Sequence, residues 1–332
     1  MNALSSPTRS RLTIIIVNWN SRDYLKRCLE SLVHAPPSVP HDIVVVDSGS
    51  FDGSGRMVLE EFPDVLFVQS PENIGFAAAN NLGTRYASAP LLLFLNPDCE
   101  VLPGAIDELL KASEALPMRG VVGCRLLNTD GSLQASCVMP RPTIFNQLLD
   151  SDFLQRHFPR CRLWQSALTY DDADGPVSVD AVSGACMLVS QTVFASIGRF
   201  TTDYFMYAED LDLCWKARRA GWSNYYVGSA RIVHHGGGSS SQSRSSFASV
   251  MMRESLRRLL RRVRGPAYAG LYRATMGLNA ASRLALLAVA SPAMLALHRT
   301  SRWRSASRKW MSVLRWSLGL ESWVKAHGIA RE

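Results

Sequence analysis

Four times in its first 115 residues the chain runs from a short apolar stretch into a small polar loop and then into an amphipathic helix, a recurrence that limits the fold more than any other feature. Residues 12 to 17 read "LTIIIV" and lead into "NWNSRDYLKRCLESLVHA", where Leu25, Cys28, Leu29 and Leu32 return at helical spacing. The unit is repeated in "HDIVVVDSGSFDGSGRMVLEEF", "VLFVQSPENIGFAAANNLGTRYA" and "LLLFLNPDCEVLPGAIDELLKASEA". Neighbouring parallel strands must be joined by a crossover, usually a helix. The pattern therefore predicts βαβ units and an α/β fold: a mainly parallel sheet flanked by helices on both faces. Ligands of such sheets bind outside the carboxyl ends of the strands, which places all four polar loops on one edge.

From Val121 to about Asp180 the periodicity weakens to a strand, a hairpin and a variable loop or short helices. It returns at "AVSGACMLVSQTVFASIGRF", a strand leading into a short helix that ends near Gly198. Next come the acid-rich helix start "YFMYAEDLDLCWKARRAGW" and the strand-like "NYYVGSARIVHHGGGSSS". With 332 residues, 47% hydrophobic and 19% charged, the chain is globular, with one main domain expected. Residues 250 to 332 hold 16 Lys/Arg against three Asp/Glu, while the remainder holds 20 against 25, so a basic C-terminal helical tail is set apart from a mildly acidic body. The seven cysteines show no CxxC spacing, neither a disulfide framework nor a zinc pattern, and suit a reducing cytosol. "MNALSSPTRS" has no apolar core of the kind a secretory signal or anchor needs, and a cytoplasmic location is expected.

The loops offer chemistry suited to a nucleotide diphosphate, each with a structural alternative. Asp47 ends "IVVVDSGS" and can accept hydrogen bonds from a base or ribose, with Asn18 and Asn20 lining the same place, yet Asp, Asn and Ser are also ordinary turn and cap residues. "NIGFAAANNLG" lets backbone N–H groups approach an anion, or serves close helix packing. In "LLLFLNPDCE" the side chains of Asn96 and Asp98 project together, and Asp98 either holds a hard divalent cation or caps the helix expected near Pro103. Glu209, Asp210 and Asp212 satisfy the dipole of a helix start, or, beside the aromatic run 204–207, act as desolvated carboxylates with raised basicity. His234 and His235 before a Gly/Ser stretch are candidate ligands.

Taken together, "TIIIVNWNS", "IVVVDSGSFDGS", "ENIGFAAANNLG", "LLLFLNPDCEV", "VSGACMLVSQTVFASIGRF", "MYAEDLDLCWKARRAGW" and "IVHHGGGSS" resemble, in order over about residues 12 to 240, the successive blocks of inverting glycosyltransferase family 2, in its bacterial rhamnosyltransferase-like branch. The resemblance implies a GT-A, Rossmann-like fold, a nucleotide-diphosphate sugar donor with dTDP-rhamnose favoured, a Mg²⁺ or Mn²⁺ cofactor, and a cell-surface glycan or polyprenyl-linked acceptor. It makes residues 12–245 the catalytic domain, between a flexible stretch 1–11 and the tail 246–332. It assigns donor binding to Asn18, Asn20, Asp47, Asn73, Asn80 and Asn96. Metal binding falls to Asp98 and His234, with His235 the other reading of that block. Asp210 becomes the general base, Glu209 its orienting neighbour, and Asp212 a capping or ion-pair residue. Asn96 stands where many relatives carry the first acid of a DxD motif, which removes one charge from the expected cation site.

The tail has two readings. Arg257, Arg258, Arg261, Arg262 and Arg264 surround Leu256, Leu259 and Leu260, and 14 uncharged residues separate Arg283 from His298, too few for the roughly 20 that span a bilayer. An amphipathic segment at an anionic membrane surface, on the inner face, is expected, against a helical bundle with its arginines in water. A nucleic-acid-binding protein would account for the charge but lacks aromatic-interleaved or groove-reading motifs, so no nucleic-acid partner is expected. A nucleotidyltransferase or dehydrogenase would share the sheet, but no GxGxxG follows the first strand.

Overall fold

The computed structural model describes residues 10–149, 157–158, 161, 170, 175–236, 246–296 and 300–321. Most of the variable loop or short helices expected over 150–180, and the Gly/Ser stretch 237–245, lie outside these. The described chain forms two compact units: Met1–Arg141, His157–Thr201 and Glu209–Ser239 in one, Pro142–Arg156, Thr202–Ala208 and Ser240–Glu332 in the other.

The first unit begins with the four strand-loop-helix units that the sequence pattern predicts, β1 (Leu12–Asn18), α1 (Arg22–His34), β2 (His41–Ser48), α2 (Ser54–Glu61), β3 (Leu66–Ser70), α3 (Gly75–Gly83), β4 (Leu91–Leu95) and α4 (Ala105–Ala115), but a short strand that the pattern did not signal, β5 (Cys99–Val101), lies in the fourth loop. All seven residues of β1 are buried, as a central strand covered on both faces requires. The four α1 residues picked out by spacing are its buried face. After β6 (Arg119–Leu127) and the short β7 (Val138–Met139), the second unit contributes α5 (Ile144–Leu148). The first unit then resumes with β8 (Val177–Val179), β9 (Ala181–Val182), β10 (Cys186–Ser190), α6 (Gln191–Ser196), α7 (Glu209–Arg219) and β11 (Ser223–His234).

The main sheet runs β3-β2-β1-β4-β10-β6-β11-β5, with β8 also paired to β11. Its first four strands are parallel, β10 enters antiparallel between β4 and β6, and β11 is parallel to β6 but antiparallel to β5. Because β10 runs against β4, its start lies at the carboxyl end of β4: Cys186 pairs with Leu95, and Asn96 N–H donates to the Ala185 carbonyl at 2.9 Å. The pairing of His234 with Cys99 likewise brings the end of β11 to the same edge. Three loops distant in sequence are thus assembled at one sheet edge. Gly123 makes room for this arrangement, since a Cβ there would lie 2.5 Å from the Val182 Cβ.

The second unit is built on α8 (Ser246–Arg264), α9 (Pro266–Ala296) and α10 (Thr300–Ser317). Glu254, almost buried, accepts from Arg257 (2.7 Å), Arg258 (3.0 Å) and the Trp316 indole (3.0 Å). Arg262 pairs with Asp203 at 2.6 Å, and Arg264 lies over the Tyr268 ring. Four of the five arginines expected to face lipid therefore bind partners within their own unit, while Leu256, Leu259 and Leu260 are buried. Antiparallel packing of α9 and α10 is fixed by Trp303 donating to the Leu287 carbonyl and Arg273 to that of Trp316, both at 2.9 Å. Among the described residues no helix is long and apolar enough to cross a membrane.

Candidate active site

At the ends of β1 and β2 the polar side chains bind one another. Asp47 is 1% exposed and accepts from Asn18 Nδ2 (2.9 Å), Ser54 Oγ (3.3 Å), Ser50 N–H (2.8 Å) and Gln69 Nε2 (2.8 Å). Asn20, in the left-handed region at φ 48°, accepts from Phe51 N–H through Oδ1, and its own N–H donates to Ser50 Oγ. Asn73 Oδ1 takes the Ser48 hydroxyl and Gly75 N–H. These bonds make Asp47 a brace that holds the β1 and β2 loops in shape, with the edge beyond it formed by Asn20, Ser50 and Asn73. Asn80 is different: it is 1% exposed and spends Nδ2 on the Phe76 carbonyl of its own helix, so the sequence placed a packing residue among the donor contacts. Its neighbour Asn81, which the sequence did not single out, exchanges two hydrogen bonds with the Phe200 backbone and ties α3 to the turn before α7.

At the ends of β4 and β11, Asp98 Oδ1 and His234 Nε2 face each other at 3.3 Å, both largely buried. His235 N–H donates to the Asp98 carbonyl, while its ring turns to Glu100 (2.7 Å) and lies against Tyr24, so of the two histidines His234 is the one at Asp98. Asp98, Cys99 and His234 form the metal-capable group, their donor atoms within 4.8 Å of one another. Carboxylate oxygen and imidazole nitrogen suit Mg²⁺ or Mn²⁺, whereas the Cys99 thiol is a soft donor directed at the Ala185 carbonyl. Asn96 Oδ1, in the same turn, is a buried acceptor without a hydrogen-bond partner, which a hard cation would satisfy. The residues present fit a divalent ion held by Asp98 and His234.

The acids of α7 divide by their partners. Two successive left-handed residues, Tyr207 (φ 70°) and Ala208 (φ 66°), precede the helix, a backbone cost of roughly 1–2 kcal/mol each. Asp210 accepts from Gly184 N–H (3.0 Å) and Leu211 N–H (2.8 Å), which fixes its plane. Burial raises its pKa above the usual aspartate range, with those N–H bonds pulling the other way. Glu209 is raised further, by burial and then by the Asp210 and Asp212 charges, and its Oε2 lacks a hydrogen-bond partner. Asp212, 0% exposed, accepts from Thr201 Oγ1 at 2.5 Å and pairs with Lys216 at 3.4 Å.

Asp210, held by two N–H donors, and the residues able to hold a cation lie at the same carboxyl edge of the sheet, where Gly184 precedes β10 and Asp98 follows β4. Residues 13–161 match the family described as Glycosyl transferase family 2. An N-acetylglucosaminyl-diphospho-decaprenol L-rhamnosyltransferase of Mycobacterium tuberculosis is 30% identical over 236 residues, 68% of this chain and 76% of the relative. The chain belongs to glycosyl transferase family 2. The rhamnosyltransferase WbbL of Escherichia coli is 25% identical over 229 residues, 67% of this chain and 82% of WbbL. A solved mannosyltransferase of Pyrobaculum calidifontis, in complex with GDP-Man and Mn²⁺, superposes with a TM-score of 0.57 at 19% identity over 94% of this chain and 87% of its own, which shows the shared GT-A fold. This family 2 chain is therefore a rhamnosyltransferase-like glycosyltransferase with a mixed α/β catalytic sheet. Gly184 and Thr201, which hold Asp210 and Asp212, gave no local sequence signal because each acts from outside the helix, whereas Lys216 is the i,i+4 partner of Asp212 within it.

Proposed function

We propose that the chain transfers rhamnose from dTDP-rhamnose, with inversion, to a polyprenyl-linked or nascent cell-surface glycan. The observation that carries the mechanism is Asp210: fixed by two N–H donors and with a raised pKa, it is built to take a proton. In the reaction it removes the proton from the acceptor hydroxyl, whose oxygen bonds to the anomeric carbon as the bond to the diphosphate breaks on the opposite face. Glu209 orients Asp210 or a substrate hydroxyl. Asn20, Ser50 and Asn73 meet the nucleoside, with Asn18 and Asp47 setting their loops. Asp98 and His234 would hold Mg²⁺ or Mn²⁺, which would supply Lewis-acid stabilisation at the diphosphate. Rhamnose and the lipid-linked acceptor are favoured by the names of the mycobacterial and enterobacterial relatives.

The test is direct. Incubation with dTDP-rhamnose and an N-acetylglucosaminyl-diphospho-lipid should give a product whose anomeric configuration is opposite to the donor's. Chelator should abolish its formation and Mn²⁺ restore it, but not in Asp98→Ala. Binding of GDP-sugars with none of dTDP or UDP compounds would overturn the donor, and full activity in chelator would overturn the metal.

The described surface of the second unit supports attachment to an anionic membrane face. On α9, Leu271, Leu278, Leu286 and Val289 are exposed and fall within about 80° of one another on a 3.6-residue helix, while α10 exposes Arg304, Arg308 and Lys309.

A further inference from the structure

Gln134 lies 100 residues from His234 in sequence and touches it twice. Its Nε2 is 3.0 Å from the His234 backbone carbonyl and 3.1 Å from Asn128 Oδ1, and its Oε1 is 2.8 Å from His234 Nδ1. A backbone carbonyl can only accept, so the amide of Gln134 must present its NH₂ there; the reverse orientation would set oxygen against oxygen. Asn128 agrees, since its own Nδ2 is directed to Ser132 Oγ at 2.9 Å and its oxygen faces Gln134. With the amide fixed in this way, Oε1 is the atom facing the ring, and His234 Nδ1 must carry the hydrogen. In the neutral ring the lone pair is then on Nε2, the atom that faces Asp98 Oδ1 at 3.3 Å. The position of Gln134 is itself set by the sheet: its N–H donates to the Leu126 carbonyl, and Leu126 is paired with Ile232, two residues before His234.

We infer that Gln134 is a positioning residue that locks His234 in the Nδ1–H tautomer and so presents Nε2 to a divalent cation shared with Asp98. This rests on the reading of Asp98 and His234 as the metal pair. Outer partners of this kind contribute about 10- to 100-fold in metal affinity, because a ring free to rotate or to place its hydrogen on Nε2 must reorganise before it can bind.

Two measurements on the full chain test it. Nitrogen-15 spectra of the metal-free protein, recorded with the ring neutral, should show His234 as the Nδ1–H tautomer, and Gln134→Leu should move it toward the Nε2–H form. A wild-type ring already in the Nε2–H form would overturn the inference. Titration with Mn²⁺ alone, followed by electron paramagnetic resonance, should show about 10- to 100-fold weaker binding in Gln134→Leu. That loss should vanish when His234→Ala is already present. A loss of the same size in the His234→Ala background would mean that Gln134 acts by general destabilisation, and the inference would fall while the metal pair stood. If His234→Ala left Mn²⁺ binding unchanged, the metal pair itself would be wrong and the inference with it.

Discussion

Three acids within four residues of α7 share a helix turn and differ in chemistry because their neighbours differ. Asp210 is oriented by N–H groups and kept basic by burial, Asp212 is spent on Thr201 and Lys216, and Glu209 is buried beside both. Asp210→Asn should lower transfer by about 10² to 10⁴ with donor affinity unchanged, the usual worth of a general base, as read by initial rates and calorimetry. Asp212→Asn should instead lower stability, by about 2 kcal/mol for a buried charge-assisted bond, and leave much of the turnover of the folded fraction intact. Normal transfer by Asp210→Asn with a folded but inactive Asp212→Asn would exchange their roles. Glu209 has a pH signature of its own. Its folded pKa is raised above the unfolded value, so its contribution to stability is present below the ordinary glutamate range and is lost as pH rises through the folded value. The melting temperature of Glu209→Gln should accordingly fall less than that of the wild type between about pH 5 and pH 8, and parallel curves would show that burial does not hold a proton on Glu209.

Elements carry the site where side chains alone would not. The strands and helices up to α4, β5 excepted, were legible in the sequence because each is a local event: an apolar run, a polar stop, a period of 3.6. The cluster at Asp98 and the acids of α7 were legible for the same reason, as strong local departures from their surroundings. Insertion of antiparallel β10 between β4 and β6 was not, since strand order depends on pairings between residues some 90 apart in sequence, such as Leu95 and Cys186. Gln134 was invisible because it lies where periodicity fades and its partner is across the sheet. Asn80 misled because a helix of Ala, Gly and Asn has little amphipathic contrast to show which face is buried. Gly123 in β6 lets β9 pack closely: Val182 lies against it, and the chain continues from β9 through Ser183 to Gly184, the donor to Asp210. Gly123→Ala would push a methyl into Val182, an overpacking cost of about 1–3 kcal/mol, and should reduce transfer as Gly184 shifts. Val182→Ala in the same chain should restore part of both the melting temperature and the rate, and failure of any rescue would separate the glycine from the site.

At the scale of the molecule, the charge asymmetry of the sequence becomes a division of labour between the two units. The acidic balance of residues 1 to 249 belongs mostly to the unit that carries the carboxylates. The basic tail supplies helices whose arginines first serve packing: Glu254 and Asp203 take Arg257, Arg258 and Arg262. The uncharged face of α9 and the cations exposed on α10 make a combination that suits an anionic bilayer surface better than water, since apolar area is buried while Lys and Arg stay at the headgroups. The fold of the second unit includes Thr202–Ala208, directly before the acids of α7 in sequence, so deleting the tail would confound attachment with folding. Substitution on the exposed face avoids that. Leu278→Glu with Leu286→Glu and Val289→Glu should leave the circular dichroism spectrum and the activity toward a soluble acceptor analogue unchanged, and should abolish sedimentation with phosphatidylglycerol vesicles at low salt. Wild-type sedimentation should weaken as ionic strength rises through about 0.15 M, where the Debye length falls to about 8 Å. If the triple variant sediments as well as the wild type, the α9 face is not the lipid contact; if wild type and variant both ignore the vesicles, the second unit does not bind membrane at all.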